Sequence, residues 1–240
     1  MHRRLPGILA LGLSLAAATV RAQETPSAPP AEAPAPPVIY PAGSEPQPEP
    51  SPVRWEGDQA VLGSVRLDAA TKTVSATGWV NQTSGAIEVL ACGVQGKVHE
   101  SVFVLALNPL DLQAALLLAG LKGGPPMAAI GQGPPAGDPV DIWVDWQAGG
   151  EARSARAETF VWNTADNTGL PETPWTFTGS VVKEGRFKAL AEESLVVTYW
   201  DPYAIVNLPL PCGADDEMLA VNSNAVPPYQ TPVTLRFVPR

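Results

Sequence analysis

The sequence predicts a mainly β protein, at the margin of α+β, built as an antiparallel-sheet or sandwich-like single domain with one buried helix near 109–120. Three observations carry that expectation. Apolar residues beyond residue 53 recur mostly with period two, the pattern of half-buried strands. A single stretch has convincing helix start and stop signals. Once an N-terminal leader and a proline-rich stretch are set aside, residues 53–240 are one ordinary domain's worth of chain.

Residues 1–22 have the parts of a secretory signal. His2, Arg3 and Arg4 form a basic start, Leu5 to Ala18 is mostly apolar, and Val20-Arg21-Ala22 offers a cleavage site. This predicts a mature start at Gln23 and an exported protein, periplasmic or extracellular. The apolar run is too short for a bilayer, which takes about 20 apolar residues, and no later stretch suffices, so no transmembrane segment is expected. No cysteine follows the cleavage site, which argues against a lipid anchor. Residues 23–52 are dominated by Pro, Ala, Glu and Ser and hold 11 of the 27 prolines, all from Pro26 onward. A stretch with so little to bury is expected to be a disordered or polyproline-like spacer, with a proline-rich partner ligand as the other reading.

Within the domain, Ala60 to Leu67 reads as a strand, with Asp68-Ala69-Ala70-Thr71 turning back into Lys72 to Val80, where Val74, Ala76 and Val80 share a face. Ala86 to Cys92, Val98 to Leu105, Val140 to Trp146, Ala155 to Trp162, Trp175 to Val182, Ser194 to Trp200 and Val233 to Val238 read likewise. The helix is capped by Asn108, has Pro109 in its first turn and Asp111 at an acidic early position, and stops at Gly120. Being apolar nearly all round, it is expected to be buried on most sides. Lys122 to Asp138 is a long Gly/Pro-rich loop, a length often tied to function or motion.

Charge excludes one class of partner. The formal net charge is -9, and loss of Arg3, Arg4 and Arg21 with the signal leaves 12 cations against 24 acids, or -12. Nucleic acid is therefore not expected, because its phosphates recruit Lys and Arg. Two cysteines rule out a disulfide-rich mini-protein and a cluster held by four thiolates of this chain. Cys92 and Cys212 fit a disulfide in an exported protein, two free thiols, or a metal site completed by His99. Without a CxxC or HxxxH spacing, neither a metal nor a cofactor is expected. The acids 215–217 read as a solvated loop.

The most unusual local sequence is Gly96-Lys97-Val98-His99-Glu100-Ser101. It departs from a phosphate-binding loop, which needs Gly at 91 and Ser or Thr at 98, where Ala91 and Val98 stand. On a strand, His99 and Ser101 would share a face about 7 Å apart, too far for a nucleophile and its base, so that pairing requires a turn. These residues either cap a turn or line a site. Trp143, between Asp141 and Asp145 on the polar face of its strand, is either a stacking platform for a sugar ring or a ring covered by other structure.

Val80-Asn81-Gln82, Gly85-Ala86-Ile87-Glu88, Gly96 to Ser101, the helix with Ala114 to Leu121, and Trp175-Thr176-Phe177-Thr178-Gly179-Ser180 together resemble the YdjY-type domain family. The resemblance runs from about Trp55 to Pro239. It implies an exported bacterial domain to which no reaction is assigned. The motif positions are Glu88, Gly96, Lys97, His99, Glu100, Ser101, Trp175, Gly179 and Ser180, and the resemblance implies no role for any of them. Some relatives carry a ferredoxin-like label, which two cysteines cannot support.

Two functional readings follow. The leading one is an exported binding or envelope-associated module, with a cell-envelope protein or a polysaccharide as partner and no committed catalytic residue. The alternative places Glu88, Lys97, His99, Glu100 and Ser101 in a pocket that acts on a small substrate or holds a metal.

Overall fold

The computed structural model describes residues 49–240. The expected signal and most of the expected spacer lie outside the described residues. The spacer's last residues are described, and Ser51 is held there: its N–H and Oγ donate to the two carboxylate oxygens of Asp111 at 2.6 and 2.9 Å.

The domain is mainly β, as the sequence predicts. Its strands in chain order are β1 (Arg54–Glu56), β2 (Gln59–Leu62), β3 (Val65–Asp68), β4 (Thr73–Val80), β5 (Val89–Cys92), β6 (Ser101–Leu105), β7 (Asp138–Ala148), β8 (Glu151–Arg156) and β9 (Val161–Asn163). After these come β10 (Thr168–Gly169), β11 (Trp175–Phe177), β12 (Val182–Lys183), β13 (Arg186–Phe187), β14 (Ser194–Val197), β15 (Val206–Asn207), β16 (Leu219–Val221) and β17 (Pro232–Pro239). Helix α1 is Pro109–Leu118 and the short α2 is Lys188–Glu192.

One large sheet runs β1-β2-β3-β4-β17-β7-β11-β15-β14-β5-β6, with β8 on the edge of β7. A further pairing of β4 with β6 closes the portion from β4 through β6 into a ring. Two strands make the closure work by sharing an edge. On β4 one edge serves β3 at residues 73–75 and β6 at 78–80, and on β7 one edge serves β11 at 138–140 and β8 at 143–148. Pairing is antiparallel except for β5 with β6 and β14 with β15. Inside lie Val74, Ala76, Phe103, Leu105, Ile142, Val144, Trp175, Phe177, Leu235 and Phe237, all but fully buried, as strict alternation on β4, β7 and β17 requires.

The structure divides several of the expected strands. Ala60 to Leu67 is a hairpin that turns at Gly63, whose φ of +55° suits glycine, and a Cβ there would stand 2.3 Å from the Asp111 carboxylate. Val98–Glu100 is a 3₁₀ turn, so the strand starts only at Ser101. Ala157–Phe160 is another 3₁₀ turn, which buries Glu158. The strand from Trp175 ends at Phe177 because Gly179 and Ser180 both take positive φ. Asn108 caps α1 as expected, its side chain accepting from the Leu110 N–H at 3.0 Å. The helix is covered on one side only, a departure from the expectation. Leu112, Ala115, Leu116 and Ala119 are buried, while Leu117 and Leu118 are 50% and 55% exposed.

Candidate functional site

The Gly96–Ser101 segment folds as a turn whose groups bond largely to their neighbours. Gly96 is closely packed, and a Cβ there would stand 3.0 Å from Cys92 and from the Glu193 carbonyl. Ser101 Oγ donates to the Lys97 carbonyl at 2.7 Å. Asn81 Nδ2 donates to the carbonyls of Val98 and Ser101, and Gln82 Nε2 to that of His99. The Val80-Asn81-Gln82 motif is thus the clasp that holds the turn.

Lys97 is the centre of the cluster. Its Nζ lies 2.6 Å from Oε2 of Glu88 and 3.0 Å from Oε1 of Glu100. Burial works against its charge, but the two carboxylates outweigh burial and hold its pKa above the usual lysine value. His99 does not join them. Its side chain is 77% exposed, with Nε2 3.8 Å from Glu100.

Behind Lys97 is a cavity of about 20 Å³, room for about one water, lined by Glu88, Lys97, Ser194, Tyr199 and Asp201 with Val89, Val197 and Ile130. Asp201 is 7% exposed, and desolvation by burial pushes its pKa up to about 6. Its Oδ1 accepts the Tyr203 N–H at 2.8 Å, and its own N–H donates to Asn207 Oδ1 at 2.8 Å. The long loop borders the cavity: Gly131 N–H donates to the Trp200 carbonyl at 2.7 Å, and the neighbouring Ile130 is part of the lining. The structure therefore brings Glu88, Lys97, Glu100 and Ser101 together, leaves His99 outside, and adds Asp201 and Tyr199, which sequence reasoning missed. The one available signal was an acid inside the apolar stretch Leu195 to Val206.

Ser180 belongs to the same end of the domain. Its Oγ donates to the Tyr203 carbonyl at 2.6 Å and accepts the Ala189 N–H, which ties the start of α2 to the Asp201 loop. Trp175, fully buried, donates from Nε1 to Glu158 at 3.3 Å.

Cys92 and Cys212 are both free thiols, one of the three readings the sequence left open. Cys92 is buried against Val89, Val104 and Val197, and desolvation raises its pKa to about 11. Cys212 sits in a separate groove with Asn163, Asp166 and Leu210, and burial raises its pKa too. Among the described residues, no group of three or more His, Cys, Asp or Glu could hold a metal ion.

A second feature covers the outer face of β4, β17, β7 and β8. Thr77, Thr234, Asp145 and Ser154 stand opposite one another in one cross-strand row, and Ser75, Arg236, Trp143 and Arg156 form the next. An open groove of about 590 Å³ follows the first row, with Gln147 and Arg153 also on its walls. Trp143 lies half-buried beside it, with the Arg156 guanidinium 5.6 Å from its ring centroid. Arg156, rather than a loop or a second sheet, packs on the ring, which keeps part of its surface exposed. Arg156 also bonds Asp141 and buried Glu158, and Arg236 bonds Asp145. Burial opposes the charge on Asp141 and Asp145, yet these arginine hydrogen bonds, with help from Arg240 and Ser154, hold both carboxyls below their usual pKa.

Fold and site together define a mainly β domain with a ring-closed sheet, an ion-paired turn over a small cavity, and an open groove of mixed polar and apolar lining on the sheet's outer face. The YdjY domain family matches residues 65–238, and the chain belongs to that family. No curated protein and no solved structure matches it. Among the described residues, no helix is long and apolar enough to cross a membrane.

Proposed function

We propose that the protein is an exported binding module of the cell envelope, and that it takes its ligand on the outer face of β4, β17, β7 and β8. The observation that carries this reading is the contrast between the two sites. The polar turn is held by its own ion pairs and hydrogen bonds, and the cavity behind it has room for one water-sized group, too little for a polymer. The sheet face instead offers an open groove of about 590 Å³, whose walls combine Trp146, Ala152, Pro232 and Val233 with hydroxyl, amide and charged side chains.

Such a lining suits a hydroxyl-rich chain. Thr77, Thr234 and Ser154 both donate and accept, Gln147 and Arg153 add donors, and the half-buried Trp143 ring stands one row away for contact with a sugar face. A polysaccharide of the envelope is therefore the preferred ligand class. The acidic mature chain and the secretory pattern of residues 1–22 support the exported setting.

The test is a titration of the processed protein with soluble envelope polysaccharides, followed by intrinsic tryptophan fluorescence. Saturable quenching should appear and should weaken by about tenfold in Arg153→Ala and in Trp143→Ala. No response across a broad panel sinks the reading, and so does recovery of the chain, with residues 1–22 intact, in the cytoplasmic fraction.

A further inference from the structure

We propose that the cavity beneath Ile130 is a binding site for a primary ammonium group on a short alkyl stem. It is a site separate from the sheet-face groove and does not depend on it.

The first ground is charge. Lys97 Nζ is already shared between Glu88 and Glu100, and Glu88 and Glu192 add negative charge close to Asp201. Lys188, on the same helix as Glu192, is drawn over the Tyr203 ring at 5.5 Å. One ammonium thus answers several carboxylates, and a second cation is the complement the site lacks.

The second ground is a carboxylate with spare acceptor capacity. Asp201 is more than nine-tenths buried, and its carboxylate accepts a single hydrogen bond among the described residues, from Tyr203 to Oδ1. Asp201 lines the cavity. A buried carboxylate without a full set of donors is costly, and a bound ammonium supplies three.

The third ground is the shape and character of the walls. A space of about 20 Å³ accepts one water-sized head group, and an ammonium is about that size. Val89, Val197 and Ile130 supply apolar walls, whereas a hard metal cation requires oxygen ligands on most sides. Tyr199 also lines the space. Entry lies at the loop tip. Ile130 is 45% exposed, and the tip is fastened by the bond from Gly131 N–H to Trp200, while the base is clasped by Gly124 with Ala136 and by Asp138 with Lys122. Gly131, at φ +71°, lies so close that a Cβ would stand 2.6 Å from the Tyr199 hydroxyl, so the loop follows any movement of that ring. Opening the tip lets the stem pass out toward solvent.

The experiment is an amide NMR titration of the ¹⁵N-labelled processed chain with n-propylammonium chloride, against sodium chloride at matched ionic strength. Saturable shifts should appear at Glu88, Tyr199 and Asp201 at about pH 7.5 and be absent with sodium. Affinity should fall about tenfold at about pH 5, where the Asp201 carboxyl is protonated, and similarly in Asp201→Asn. Glu88→Gln gives a second reading should the first variant fail to fold. Arg153→Ala, in the sheet-face groove, should leave the titration unchanged, so the two proposals fail separately. Absence of saturable shifts, equal shifts with sodium, or full affinity in both carboxylate variants overturns the inference.

Discussion

Lys97 Nζ lies 2.6 Å from Oε2 of Glu88, so a single side chain ties the residue entering β5 to the turn that leaves it. Glu100 completes the arrangement from the other side at 3.0 Å. Replacing Lys97 by Met removes the ammonium shared by two carboxylates that are each about a fifth exposed. We expect a loss of about 1–3 kcal/mol, read as a lower urea midpoint, because both acids are then left without their donor. A loss within measurement error would mean that the two acids simply turn to solvent.

Arg156 holds the sheet's outer edge in a comparable way. Its guanidinium bonds Asp141, Glu158 and the Thr173 carbonyl, and Glu158 is almost wholly buried. Arg156→Ala leaves that carboxylate uncompensated, and a cost of about 3–5 kcal/mol is expected. Thermal unfolding measures it. A Tm near that of the parent chain would show that water replaces the guanidinium.

Asp201 makes stability depend on pH with a definite sign. Its pKa rises from 3.8 in the unfolded chain to about 6 in the fold, so the folded state binds the proton more tightly. The associated stability is fully present below the unfolded value and is lost as pH rises through about 6. Asp201→Asn should therefore stabilise the domain at about pH 7.5 by something on the order of 2 kcal/mol and have much less effect near pH 4. Denaturant titrations at the two pH values decide this, and equal effects at both would refute it.

The thiols differ in access. Native protein should expose one cysteine, Cys212, to an aromatic disulfide reagent, and denatured protein two, with or without prior reduction. Two reactive thiols appearing only after reduction would restore the disulfide.

The alternation on β4, β7 and β17 was legible in the sequence because each of these strands buries one face, and a one-residue slip would turn every core side chain outward. The helix was equally legible through Asn108 and Pro109. What escaped were the breaks. Gly63 turns a hairpin inside an apolar run because Asp111, distant in sequence, crowds it, and Val98 to Glu100 form a turn because Asn81 and Gln82 hold their carbonyls. Local pattern does not contain those partners. For the same reason Glu88, Lys97, Glu100 and Ser101 could be named from a compact motif, whereas Asp201 arrives through β14 and its following loop, a contact the fold alone creates. The exposed flank of α1 escaped too, since composition records how apolar a helix is but not how many neighbours it has.

The position of β17 bears on how the chain reaches its fold. Residues 232–239 do not sit at a sheet edge but between β4 and β7, contributing Val233, Leu235 and Phe237 to the interior. Until that stretch is available, the N-terminal hairpins and β7 present two unsatisfied ladders facing an empty slot, and the ring cannot shut. Assembly is then a late, concerted event dominated by pairings between residues far apart in sequence, a topology that folds slowly. A domain built this way stays open, and can be threaded, until residues 232–239 have been made.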